Sequence, residues 1–181
     1  MALRTIGVAI AIPEPWGSDL QRWRKKFGDP LAEAIPTHVT LLPPTEVDDG
    51  LLDRIEAHLR AVAERERPFD LWLRGTATFR PVSPVVFVHV ARGIAECERI
   101  EAQIRSGPLA RELGFYYHPH VTVAHDLPDE ALDRAFDELA DYDAHFPVWG
   151  FSLYEHSDGV WRPQRDYVLG QPLPGPHLAA P

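Results

Sequence analysis

His38-Val39-Thr40-Leu41-Leu42-Pro43-Pro44 returns later in the chain as Pro119-His120-Val121-Thr122-Val123-Ala124. The shared His-Val-Thr tripeptide begins at position 38 and again at position 120, and the same offset superposes other parts of the chain without a gap. Val8-Ala9 falls on Val90-Ala91, and Phe69-Asp70-Leu71-Trp72 falls on Phe151-Ser152-Leu153-Tyr154. The helical stripe Leu51–Val62 falls on the region around Asp133–Ala144. One tripeptide is weak evidence, but several elements aligned at one offset make an internal repeat.

Working outward from each copy gives a common plan. Strands are predicted over Thr5–Ile12 and Thr37–Leu42, the second closed by Pro43-Pro44, and over Phe69–Phe79. Helices are predicted from Ser18 or Asp19 as cap to Phe27, and from Asp48-Asp49 to Pro68, with Leu51, Leu52, Ile55, Leu59 and Val62 on one face. The second copy begins with a strand at Val85–Ala91, a helix at Ile94–Leu113, a strand at Pro119–Ala124 and a helix near Pro128. Phe151–Glu155 and Val160–Leu169 form a hairpin around Ser157-Asp158-Gly159. The expected fold is α+β: two pseudo-twofold-related lobes, each a mostly antiparallel sheet with helices outside, enclosing a central cleft. One bilobal domain would span residues 1–170, its lobes built roughly from 1–80 and 84–170, with room for strand exchange. Residues 171–181 read as a flexible, proline-rich tail.

Composition narrows the function classes. The 181 residues carry a net charge of −9. Affinity for long nucleic acid rests on cations that neutralise phosphates, so a long double-stranded partner is not expected. The single cysteine, Cys97, excludes an intrachain disulfide and a Cys-rich zinc site, and it reads as a small core residue. The apolar run Ile6–Ile12 is too short for a membrane span, and Pro13-Glu14-Pro15 follows it where a secretory leader would have a cleavage site. A cytoplasmic monomer is the expectation.

The repeated tripeptide carries the chemistry. Side chains alternate along a strand, so His38 and Thr40 share one face while Val39 and Leu41 share the other, and His120 and Thr122 repeat the pattern. If the pseudo-twofold brings the polar strips together, two imidazoles and two hydroxyls line one groove. Cleaving a phosphodiester needs a base for the attacking oxygen and an acid for the departing one. Histidine serves as either near neutral pH. Threonine hydroxyls can bind the non-bridging oxygens. Phe79, Tyr116, Tyr117 and Trp161 are candidate stacking partners for a base. Arg80 and Arg162 are candidate cations for the groove, and His118 shares the face of His120. His125 has the opposite parity.

Two His-x-Thr motifs, widely spaced on equivalent strands of a duplicated fold, resemble the 2H phosphoesterase superfamily, in particular its bacterial 2′–5′ RNA ligase and RNA 2′,3′-cyclic phosphodiesterase branch. The turn Phe79-Arg-Pro-Val-Ser-Pro-Val-Val-Phe87 is similar to that group's entry into a central strand, and the likeness spans about Thr5 to Leu169. It implies a hydrolase for 2′,3′-cyclic phosphate or 2′–5′ bonds of small nucleotides or RNA ends. It implies catalytic roles for His38 and His120 and phosphate binding by Thr40 and Thr122, with no metal and no other cofactor. Two alternatives stay open: a module that binds a phosphorylated ligand without turnover, and a metalloenzyme using His38, His118 and His120.

Overall fold

A computed structural model describes residues 2–170. The expected tail, 171–181, lies outside them. The chain runs β1 (Leu3–Ala11), α1 (Trp16–Phe27), β2 (His38–Asp48), α2 (Leu52–Arg65), β3 (Phe69–Thr78), β4 (Val85–Arg92), α3 (Ile94–Ile104), β5 (His120–His125), α4 (Asp129–Glu138), β6 (Asp143–Val148), β7 (Gly150–Ser157) and β8 (Val160–Val168). The strands form two antiparallel four-stranded sheets, ordered β2-β1-β7-β8 and β5-β4-β3-β6. This is the expected α+β, two-sheet architecture. No helix among the described residues is long and apolar enough to cross a membrane.

The lobes are not the two halves of the sequence. β3, from the first half, pairs with β4 and β6 in the second sheet. β7, from the second half, pairs with β1 in the first. The repeat offset therefore superposes strands that hold equivalent positions in opposite sheets: β1 and β4, β2 and β5, β3 and β7. Helices cross over as well. α1 packs on β5 and α4, while α3 packs on β2 and α2. The first crossing is tied by Lys26 to Glu138 (2.7 Å) and by Trp16 against Phe146, with ring centroids 5.4 Å apart.

Alternation along the motif strands follows the expected parity. Val39, Leu41, Val121 and Val123 are at most 1% exposed, each contributing roughly 1.5–3 kcal/mol of apolar burial. The residues between them, His38, Thr40, His120 and Thr122, are half-buried on the opposite face. Core packing on one side thus fixes which side chains the cleft receives.

Several expected boundaries are corrected. β2 does not stop at Leu42 but continues to Asp48 through both prolines. It is an edge strand, where a missing N–H costs little, and Pro43-Pro44 falls where the register with β1 shifts. The helix expected to reach Leu113 ends at Ile104; Gly107 then takes φ +55° within a short 3₁₀ turn over Gly107–Leu109 that contains Pro108. From Ala110 to Pro119 the chain has no helix or strand. α1 begins at Trp16, before Ser18 and Asp19, and neither caps it. Instead the Glu14 carboxylate accepts bonds from the Ser18 amide and hydroxyl at 3.3 and 2.7 Å. The helix aligned by the offset with Asp133–Ala144 ends at Glu138, and β6 follows it in a stretch for which no strand was expected. Its residues Ala144, Phe146 and Val148 are buried in strict alternation.

Candidate active site

β2 and β5 are edge strands of their sheets and contact each other across the cleft. The geometry around the two motif histidines is a matched pair. His38 Nδ1 lies 2.8 Å from the carbonyl of Pro36, and His120 Nδ1 lies 2.7 Å from the carbonyl of His118. A carbonyl only accepts, so each Nδ1 must carry the proton. Each neutral ring is thereby left with Nε2 as its free, basic nitrogen. Both bonds reach the residue two positions upstream, so the local chain, not a distant partner, orients each ring.

Burial pushes both imidazoles below the ordinary histidine range. His38 falls to about 4, chiefly through desolvation, with further repulsion from the charges of Arg24 and His120, while the Pro36 carbonyl opposes the shift. His120 is lowered by burial and by charge on His118, again opposed by its carbonyl partner. Arg24 itself is buried and committed elsewhere, pairing with Asp29 at 3.0 Å and donating to the Ile35 carbonyl at 3.1 Å.

Each histidine opens onto its own cavity, and Thr40 lines both. His38 faces a pocket of about 110 Å³ shared with Gly7, Ile35, Pro44, Tyr154 and Trp161. His120 faces one of about 470 Å³ shared with Phe79, Val82, Phe115, Tyr116 and Tyr117. Phe79 stands edge-on to His120 with centroids 5.0 Å apart, and Phe87 packs against the same ring at 5.1 Å. The Tyr117 hydroxyl donates to the Thr40 carbonyl at 2.8 Å, stitching the 110–119 segment to β2. Its burial raises the phenol's pKa and keeps it neutral.

The structure therefore brings together His38, His120, Thr40, Phe79, Tyr117 and His118, whose exposed ring lies on the larger cavity. Thr122 is half-buried beside His120 but lines neither cavity. Contrary to expectation, neither arginine reaches the cleft. Arg80 turns toward α4, pairing with Asp133 at 2.8 Å and Asp129 at 3.6 Å, and its Nε donates to Thr78 Oγ1 at 3.3 Å. Arg162 is exposed and bonds the carbonyl and hydroxyl of Ser157. His125 pairs with Asp126 at 3.3 Å. Among the described residues, no three His, Cys, Asp or Glu side chains converge as metal ligands would. Cys97 is fully buried and its thiol is pushed up to about 12, so it packs and does not react.

Sequence reasoning does not select Tyr154, His89 or Phe115. His89 on β4 is the register partner of His120 and stacks on His118 at 6.1 Å. The repeat itself holds an unused signal: Phe79-Arg80-Pro81 and Trp161-Arg162-Pro163 coincide at the offset that aligns the two motifs. Their aromatic rings line the His120 and His38 cavities respectively.

An antiparallel pair of sheets presenting twin histidines on facing edge strands defines a class, and comparison with known proteins agrees. The model of the 2′-5′ RNA ligase superfamily matches residues 12–160, and the chain belongs to that family. A protein of Geobacillus kaustophilus provisionally named a phosphoesterase is 28% identical over 167 residues, covering 91% of this chain and 95% of its own. Another from Geobacillus sp. WCH70, similarly named, is 29% identical over 151 residues, covering 82% and 86%. Among solved structures, Escherichia coli LigT complexed with phosphate has a TM-score of 0.68 at 22% identity, covering 94% of this chain and all of its own. A protein of Thermus thermophilus has a TM-score of 0.62 at 22% identity, covering 92% and 98%. The two structural likenesses carry the fold.

Proposed function

We propose that the protein is a phosphodiesterase acting on 2′,3′-cyclic phosphate or 2′–5′ bonds of small or RNA-terminal substrates, with His38 and His120 as the paired base and acid and no metal required. One observation carries this reading: both rings hold their Nδ1 protons against a carbonyl two residues upstream, leaving Nε2 of each free on contacting edge strands whose two cavities share Thr40. Thr40, which lines both cavities, would bond a non-bridging phosphoryl oxygen between them.

Both histidines are neutral near pH 7 in the free protein, because burial lowers each. An arriving phosphate anion supplies the negative charge that raises a neighbouring imidazole's pKa and lets one ring hold its proton as the acid. The other stays neutral as the base. Each positioned transfer contributes roughly 10²–10⁴-fold. The relatives named as phosphoesterases support the chemistry at that coarser level.

Turnover of nucleoside 2′,3′-cyclic monophosphates and of 2′–5′ dinucleotides, assayed in chelator beside the His38→Ala and His120→Ala variants, tests the reading. Hydrolysis that survives chelation and disappears in both folded variants supports it. Chelator-dependent turnover, or full activity in either variant, overturns it. Phosphate binding with no turnover of any diester favours a binding module on the same fold.

A further inference from the structure

The carbonyl that orients His38 belongs to a stretch without regular structure: from Gly28 to Thr37 the chain forms neither helix nor strand. Such a carbonyl is aimed only as well as its neighbours are held. Both neighbours of Pro36 are tied down, and chiefly to α1. The Ile35 carbonyl accepts from Arg24 Nη1 at 3.1 Å. The Thr37 hydroxyl donates to Gln21 Oε1 at 3.0 Å, and the Thr37 carbonyl accepts from the Ile12 amide at 3.2 Å. Arg24 is fixed in turn: its Nε donates to one oxygen of Asp29 at 3.0 Å, and the other oxygen accepts from the Leu31 amide at 2.9 Å. Gly28, at φ +87°, ends α1 and turns the chain so that Asp29 reaches Arg24. Arg24, Asp29 and Thr37 are each at most 5% exposed.

A buried ion pair is a weak source of stability, because desolvation offsets most of its attraction. This one does something more. The guanidinium makes a second bond, and that bond lands on the residue before Pro36. A planar fork can serve the carboxylate and the carbonyl together, which a compact ammonium cannot do in the same geometry. α1 also packs on β5 and α4, so the helix that holds the approach to His38 bears on the strand that carries His120. The His120 side is arranged by other means. There the orienting carbonyl belongs to His118, whose ring packs edge-on against Phe79 and Phe87, with centroids 5.7 and 5.5 Å apart.

Resting on the reading above, we infer that Arg24 is a positioning residue for catalysis. Anchored by Asp29, it fixes Ile35 and, through the Pro36 carbonyl, holds the His38 imidazole in its Nδ1-protonated tautomer with Nε2 free for the substrate. His120 does not depend on it.

Nitrogen NMR of the histidine-labelled protein above neutral pH reads the tautomer of each ring without requiring turnover, and hydrolysis of a nucleoside 2′,3′-cyclic monophosphate reads kcat and KM. Arg24→Gln/Asp29→Asn replaces the ion pair by neutral amides and keeps an oxygen for the Leu31 amide. Arg24→Lys keeps the charge and gives up the fork. In both, His38 is expected to lose its single tautomer while His120 keeps its own, and kcat is expected to fall about tenfold or more with KM within about twofold. Asp29→Asn alone, an isosteric change that weakens the anchor, should loosen His38 in the same direction by less, and it carries the test should the Arg24 variants fail to fold. The inference is overturned if His38 keeps its tautomer in Arg24→Lys or, with the Arg24 variants unfolded, in Asp29→Asn. It is equally overturned if both histidines lose their tautomers together, as general loosening would cause, or if kcat is unmoved when His38 alone loses its own. The proposed activity fails separately: the unaltered protein leaves cyclic diesters uncleaved while the His38 tautomer still answers to Arg24.

Discussion

The His38 and His120 half-sites begin from the same tripeptide and end in different surroundings. Their backbone bonds are nearly equal, at 2.8 and 2.7 Å. Around that common centre, Ile35, Tyr154 and Trp161 close down on His38, whereas the irregular 110–119 segment stands back from His120 and leaves a wide trough. The comparison teaches that duplication preserved what orients the imidazoles, a strand and a carbonyl two residues before each. The loops outside the sheets were free to diverge and set what each side admits.

The largest effect should come from removing either member of the pair. His38→Ala or His120→Ala is expected to lower kcat by roughly 10²–10⁴-fold, and the double variant by little more than the worse single one, because the two act as a unit. Single-turnover kinetics would show it. Unequal losses would reveal a division of labour that the matched hydrogen bonds conceal.

Burial of the His38 ring should show in acid stability. In the unfolded chain His38 titrates near 6.5; in the folded protein burial holds it at about 4. Between those values the unfolded state binds the extra proton. Stability should therefore be flat above pH 6.5 and fall by up to about 3 kcal/mol as the pH drops to 4. Urea midpoints across that window would measure the slope, and His38→Gln should remove much of it. The catalytic profile should follow the same direction. With both imidazoles depressed, the bell of kcat/KM, which reports the free enzyme, is expected to centre below pH 6.5. The kcat profile should sit higher, since bound phosphate raises the acid's pKa.

A smaller loss is expected for Tyr117→Phe, which deletes the bond to the Thr40 carbonyl and should cost about 1 kcal/mol in thermal or urea unfolding. Smallest of all, Arg162→Ala should leave kcat/KM within about twofold, because this exposed guanidinium bonds only its own hairpin turn. A larger drop would place a cation in the cleft that the geometry does not.

Parity made the face that carries the two histidines legible from the sequence. Val39, Leu41, Val121 and Val123 had to face the core, and His38 and His120 had to face away from it. Register between distant strands was not legible. Nothing local in Phe69–Thr78 says that it will pair with β4 instead of β1, because either sheet could bury Leu71 and Leu73. The edge position of β2 was equally hidden, so Pro43-Pro44 read as an end when it was a bend. Arg80 looked like a free cation because the acids that claim it, Asp129 and Asp133, sit on α4, far along the chain. Arg162 looked free because nothing in the sequence says that its own turn at Ser157 will hold it. The alternation of Ala144, Phe146 and Val148 was visible in the sequence, but no strand was read between the helix near Pro128 and Phe151.

The reciprocal passage of β3 and β7 into each other's sheets bears on how the molecule moves. Two jaws joined by a single strap could swing apart about a hinge. Here each jaw has an inner strand supplied by the other half of the chain, so parting them means pulling strands out of hydrogen-bonded ladders. The separation of the twin imidazoles is therefore a property of the whole fold. Cleavage of the chain between Phe79 and Pro84 should leave the fragments interlocked, and neither should fold alone.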